Sequence, residues 1–461
     1  MRMKKVEEPV ILEEIHSSGR CIGRHKGKNL YISYGIPGET VEVELSAKRM
    51  GFWGGQVTRV ISPSPRRITP FCKHAGPCGG CNWLHMDYSL QLNLKRQILV
   101  NALQKYDIPV PDIPPVIPAP ETMHFRHRME YTFAETGWQE EGSLPAPHPA
   151  LGFHLNGEPN QVVHIEECYL QQEPSREICE SVYRYALEQK LPFYNHREKT
   201  GLLRSLSIRI ALSGEILVLV GFAEDQPALR ESMMNHLAVT FPGITSLCYT
   251  IHPSGEHSQL QGEIIPWDPS GLFIHEHLNG FTFRMHASSF FQPNPAQAEN
   301  IFALARKWAT LTGRENVADL YTGVGTIALH LAPEAKAVLG IEGSPAAIGD
   351  ANENARLNGI RNARFMVGDI LQTFTQSFLA TQEPFDLVAL DPPRSGTLIE
   401  IKKTILASGA SKVLYLSCNP VSLAFDLKQL TEKYRVTKIQ PFDMLPHTHQ
   451  LETLVLLERK L

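Results

Sequence analysis

From about residue 296 onward, short apolar runs alternate with helical stretches of mixed polarity. The runs are VADLYTG (317–323), AVLGIEG (337–343), ARFMVGD (363–369), FDLVALD (385–391), KVLYLSC (412–418), VTKIQPF (436–442) and ETLVLLE (452–458). Helical sequence separates the first five, which is the pattern of a parallel sheet with crossover helices. The last two lie close enough to add an antiparallel edge pair. This region reads as a doubly wound α/β domain.

Upstream the period changes. Residues 10–62 read as short alternating strands broken by glycine, with TVEVEL (40–45) the clearest, and predict a small β-barrel. A cysteine-rich turn follows, then a helix with Leu90, Leu94, Ile98 and Ala102 at four-residue spacing. Six prolines within 109–120 predict a stiff extended linker. Residues 122–285 read as mainly β, with EYTFAE, IRIALSGEILVLVGF and FTFRMH as strands. The expected organisation is a barrel (1–66), a cysteine turn, helix and linker (67–120), a central mainly β domain (121–285) and a C-terminal α/β domain (286–461).

A chain of 461 residues, 43% hydrophobic and 20% charged, has the composition of several folded domains. No apolar run approaches the roughly 18 residues of a spanning helix. Nor does an apolar stretch follow the charged N-terminus as in a secretory signal. The expectation is a cytoplasmic, monomeric protein without a membrane partner. Net charge is −4, but residues 1–70 carry 12 Lys/Arg against 7 Asp/Glu. Arg20, Arg24, Lys26, Lys28, Lys48 and Arg49 fall among the barrel's turns beside Tyr31, Phe52 and Trp53. Basic grooves with aromatic platforms are how such barrels hold single-stranded nucleic acid.

The chemistry concentrates where the α/β strands end. Asp319-Leu-Tyr321-Thr-Gly323-Val-Gly325-Thr326 is a glycine turn that admits a ligand to the backbone. It lacks the third glycine of a dinucleotide fingerprint, which counts against a nicotinamide cofactor. Glu342 ends the second strand, where a carboxylate can accept both hydroxyls of a ribose, and Asp369 follows the third, where it can meet an adenine edge. This ordered set points to S-adenosylmethionine. Asp391-Pro-Pro-Arg394 follows the fourth strand, and Ser417-Cys418-Asn419-Pro420 ends the fifth in the same crevice.

A thiol there requires a lowered pKa and a use. Uracil supplies the use: its C5 is a poor nucleophile until a thiolate adds to C6, and the adduct then needs a base to remove the C5 proton. Glu452, at the start of the last strand, is the candidate base. A methyltransferase acting on an exocyclic nitrogen through Asp391-Pro-Pro is the competing enzyme reading. A non-catalytic RNA-binding iron–sulfur protein is the competing reading from another class.

The eight cysteines are sparse and do not form a disulfide framework. Cys72, Cys78 and Cys81 share one turn, and Cys168 lies far downstream. Four thiolates suit zinc and an iron–sulfur cluster alike, with zinc slightly favoured on the residues alone. Cys21, Cys179 and Cys248 are left as structural.

Over nearly its whole length the chain resembles the bacterial RNA 5-methyluridine methyltransferases, most closely the 23S rRNA uracil-C5 branch. Residues 8–65 are similar to the TRAM module, an OB-like RNA-binding barrel. Phe290-Phe-Gln292-Pro-Asn, the Asp319 turn, Asp391-Pro-Pro-Arg394, Ser417-Cys418-Asn419-Pro420 and Asp443-Met-Leu-Pro-His-Thr-His-Gln-Leu-Glu452 match the family's motifs in order.

The resemblance implies a class I, Rossmann-like methyltransferase domain with Cys418 as nucleophile and Glu452 as base. It implies Gln292, Tyr321, Thr326, Glu342, Asp369 and Asp391 as the pocket for S-adenosylmethionine and the target base. It also implies a [4Fe–4S] cluster on Cys72, Cys78, Cys81 and Cys168, stapling the turn to the central domain. RNA is the implied partner, rRNA before tRNA, because the simpler tRNA branch typically lacks barrel and cluster. Phe290 and Phe291 are candidates to replace the stacking of a flipped base. Arg126 and Arg128 are candidates for phosphate contacts.

Overall fold

The computed structural model describes residues 4–6, 8–45, 53–139, 148–252, 262–269 and 271–460. Lys48, Arg49 and Phe52 lie outside them. The N-terminal strands Val10–Ile15, Cys21–His25, Lys28–Ser33, Thr40–Leu45 and Trp53–Ser62 close into a barrel, since the fourth also pairs with the fifth. Their alternation buries Val10, Leu12, Leu30, Ile32, Val41 and Val43 in one core. Trp53, expected as a stacking platform, packs against that core. Arg24 is ion-paired with Glu13.

The helix expected from the leucine spacing runs Tyr88–Lys105, capped by the Asp87 carboxylate accepting from Leu90 N. Its Leu90, Leu94 and Ile98 face the barrel core, and Leu99, Ala102 and Leu103 face the C-terminal domain. The proline-rich stretch is no free linker. Ile113 and Val116 are buried in the C-terminal core, and Ile117 bonds the backbone of Pro441 and Asp443. It is extended, as proline requires, but it packs as an added rib on the C-terminal sheet.

Residues 128–266 form a seven-stranded sheet with helices Ser175–Glu188 and Pro227–Thr240 packed over one core. Alternation in the strands does not announce these two helices. A separate hairpin, Phe273–Leu278 with Phe281–His286, leads into the C-terminal domain.

The C-terminal strands, numbered within their own sheet, are β1 (Asn316–Leu320), β2 (Ala337–Glu342), β3 (Ala363–Val367), β4 (Leu387–Leu390), β5 (Lys412–Ser417), β6 (Tyr434–Phe442) and β7 (Glu452–Arg459). They lie in the order β3-β2-β1-β4-β5-β7-β6; the first five are parallel and β7 is antiparallel between β5 and β6. The expected edge pair is thus present, with β7 inserted inward. Strand order reverses between β1 and β4, which opens a crevice over the carboxyl ends of the strands. Because β7 runs the other way, its first residue also lies at that edge.

Candidate active site

Every C-terminal residue singled out from the strand ends falls on this edge. The Asp319 carboxylate, 1% exposed, builds the glycine turn from below: Oδ2 accepts from Thr322 Oγ1 at 2.5 Å and from Ala328 N at 3.0 Å. Tyr321, Gly323 and Gly325 all take positive φ. A Cβ on Gly323 would meet nothing within 4 Å, so the turn presents open space there. A Cβ on Gly325 would press on Phe365. Gly323 N points at Glu342 Oε2 at 3.4 Å, and Tyr321 lies within electrostatic reach of both Glu342 and Asp369. The tyrosine hydroxyl bonds Thr397 Oγ1 at 2.9 Å. Asp369 is exposed and caps the short helix after β3 by accepting from Gln372 N. Thr326 is placed by the backbone alone, as first residue of helix Thr326–Leu331.

The other end of the crevice gathers acids around a thiol. Gln292 Nε2 donates to Asp391 Oδ2 at 3.2 Å. Burial and the neighbouring Asp319 raise Asp391 to about 7. Burial and Asp391 raise Glu452 well above the carboxylate range. The loop after β4 is fastened to the loop after β5: Asn419 Nδ2 and Ser422 Oγ both donate to Arg394 O. Cys418 stands between them, partly exposed. Its thiol is pushed up to about 12 by burial, then by Glu452 and Asp391, with Arg394 opposing.

The expectation of a lowered thiol pKa is therefore corrected for the free protein. Burial of the sulfur, and next to it the neighbouring carboxyls as far as they ionise, oppose a negative charge on Cys418. Cys418, Glu452 and Asp391 nevertheless lie close enough for each carboxyl to act on the thiol and for Asp391 to act on Glu452.

One consequence is measurable. A carboxyl near 7 folded and about 4 unfolded binds its proton more tightly in the folded state. Its contribution is complete below the unfolded value and is lost as pH rises through about 7. Asp391→Asn is expected to raise stability at pH 8 by about 1–3 kcal/mol, with the gain vanishing toward pH 4. Thermal unfolding across that range measures it; a gain independent of pH would contradict it.

A family model described as tRNA (Uracil-5-)-methyltransferase matches residues 273–460. Proteins described as RNA methyltransferases from Porphyromonas gingivalis and Bacteroides thetaiotaomicron are each 36% identical, over 97% and 96% of this chain and 99% of theirs. The chain belongs to the RNA uracil-C5 methyltransferase family. It is similar in fold to the solved tRNA (uracil-54, C5)-methyltransferase of Pyrococcus abyssi in complex with S-adenosyl-L-homocysteine. That match has a TM-score of 0.76 at 25% identity and covers 98% of this chain and 100% of that one.

Cys72, Cys78, Cys81 and Cys168 all line one cavity of about 710 Å³. Burial pushes each thiol up, to about 12 for Cys168, and the neighbouring sulfurs add to the shifts of Cys78, Cys81 and Cys168. The chemistry of the donors fits a thiophilic group. As placed, however, no group of three or more His, Cys, Asp or Glu among the described residues is arranged to hold a metal ion. The expected cluster residues are neighbours, then, without a ligand geometry.

Arg126 faces this cavity, within reach of Cys81 and Cys168, and Arg128 pairs with Glu130. Neither stands out on the surface as an open phosphate contact would. Phe290 is 69% exposed, whereas Phe291 is buried beside His127 and Phe283. Phe291 is thus removed as a stacking candidate. Cys21, Cys179 and Cys248 are buried, as left-over structural thiols should be. No helix is long and apolar enough among the described residues to cross a membrane.

Proposed function

We propose that the protein methylates C5 of a uridine in RNA, with 23S rRNA as the target, through a covalent bond between Cys418 Sγ and C6. The observation that carries this is the coupling of Cys418, Glu452 and Asp391 at one end of a crevice whose other end holds Tyr321, Glu342 and Asp369 around an open glycine turn. S-adenosylmethionine, when bound there, supplies an electrophilic methyl on a sulfonium.

Cys418, as thiolate, adds to C6; the S–C6 bond forms and the C5=C6 electron pair moves onto C5 and O4, making C5 nucleophilic. After methylation C5 still carries its hydrogen. Glu452, ionised once the resting proton that its burial favours has left to solvent, takes the C5 proton, the C–H pair restores C5=C6, and the S–C6 bond breaks to return the thiolate. Gln292 fixes Asp391 between the two ends. Exposed Phe290 takes the place of the flipped base in the stack. Cys72, Cys78, Cys81 and Cys168 are assigned to an iron–sulfur cluster, with zinc the alternative; their shared cavity and all-sulfur chemistry support this. The group would tie turn to central sheet, and no step of methyl transfer passes through it.

A tRNA target is the second reading. The neighbour named for tRNA covers 98% of this chain, so the barrel does not by itself select rRNA. Incubation with labelled S-adenosylmethionine and either RNA, followed by nucleoside analysis, is expected to give 5-methyluridine in 23S rRNA. Label confined to tRNA would transfer the assignment, and a methylated exocyclic nitrogen would overturn it. Iron and acid-labile sulfide in the same preparation support the cluster; zinc without sulfide selects zinc.

A further inference from the structure

Residues 443–451, which connect β6 to β7 and deliver Glu452, are held by chain more than 300 positions upstream. Lys95 and Asp443 are both fully buried and meet at 2.5 Å from Nζ to Oδ1. The same ammonium donates to Leu445 O at 3.0 Å, and Tyr88 OH donates to Asp443 Oδ2 at 2.9 Å. One turn along the helix, Gln91 Oε1 accepts from His447 N at 2.9 Å, where His447 takes a positive φ. From the other side Gln297 Nε2 donates to Asp443 O, and Asn294 Nδ2 to Met444 O. Glu452 is the cross-strand partner of Phe442, the residue before Asp443. Asp443 is thus one residue from the strand pairing that places Glu452.

Burying an ion pair is a poor way to gain stability, because desolvation offsets the attraction; apolar replacement of both partners is often neutral. Directional bonds from one ammonium to a carboxylate and a carbonyl of one loop do what packing alone does not: they fix that loop's position.

We propose that Lys95 is a positioning residue for proton removal from C5, acting through Asp443 to hold Glu452 against the target ring. This rests on the covalent mechanism proposed above. Lys95 takes no part in addition of the thiolate, so its loss stalls the reaction after methylation.

The test compares Lys95→Met, the double variant Lys95→Met/Asp443→Leu and Glu452→Gln in the full-length protein. RNA containing the target uridine and labelled S-adenosylmethionine are supplied, and the reaction is quenched in denaturant. The double variant removes the buried charges together and decides the matter if the single variant does not fold. Both Lys95 variants are expected to lose on the order of 100-fold in kcat. KM for RNA should stay within about threefold, and a denaturation-resistant protein–RNA adduct should accumulate in the steady state. A stable double variant with wild-type kcat, or one that loses activity with no adduct, overturns the proposal when Glu452→Gln does trap the adduct. If Glu452→Gln traps none, the underlying mechanism falls first and this proposal with it.

Discussion

Replacing Cys418 by alanine is expected to abolish methylation, by on the order of 10⁴-fold or more, while binding of S-adenosylmethionine stays nearly intact. Without the sulfur there is no C6 adduct, and C5 of uracil does not reach the electron density needed to take a methyl. The loss falls on the chemical step. Tyr321, Glu342 and Asp369 lie around the glycine turn, and their hydrogen bonds are to groups other than Cys418. Cofactor titration by calorimetry and label transfer to RNA, measured on one preparation, separate the two effects. Full activity of Cys418→Ala would remove the thiol from the mechanism.

Glu452→Gln is expected to cut turnover by about 10²–10⁴-fold, the usual worth of a general base, and to leave the enzyme covalently attached to methylated RNA. The amide has nearly the shape of the carboxylate but does not accept the C5 proton, so the ring has no route back to aromatic-like conjugation. It also removes one of the carboxyls that repel charge on Cys418. The adduct should therefore form readily and persist. A denaturing gel with labelled RNA reads this directly. Reduced turnover without retained RNA would take Glu452 out of the role of base.

Much of this was legible in the sequence because strand-end chemistry is local. An apolar run predicts a strand, and the residue after it stands at the sheet's edge whatever else the chain does. Glu342, Asp369, Asp391 and Cys418 follow that logic and stand at the carboxyl edge of the sheet, with Asp319 buried beneath it. Glu452 is found there for a second reason, that its strand returns antiparallel.

What escaped is non-local. Nothing near Lys95 in the sequence says that a carboxylate 348 positions away will bury it. The proline stretch is extended as its composition dictates, but its apolar side chains found a core that composition does not specify. Phe290 and Phe291 are identical neighbours in the sequence and opposite in exposure. The Cys418 thiol is pushed up, by burial first and then by the carboxyls of Glu452 and Asp391. His449 is a further case: it packs where any Cβ on Gly19 of the barrel would stand, so the barrel seats the loop before Glu452 as well as carrying basic turns.

The covalent bond itself is the most direct point of attack. Glu452→Gln trapped on RNA can be digested with nuclease and protease and the cross-linked peptide sequenced by mass spectrometry. A methylated uridine nucleotide joined to the peptide containing Cys418 is the predicted result. Linkage to any other residue, or no linked peptide after complete reaction with substrate RNA, would contradict it.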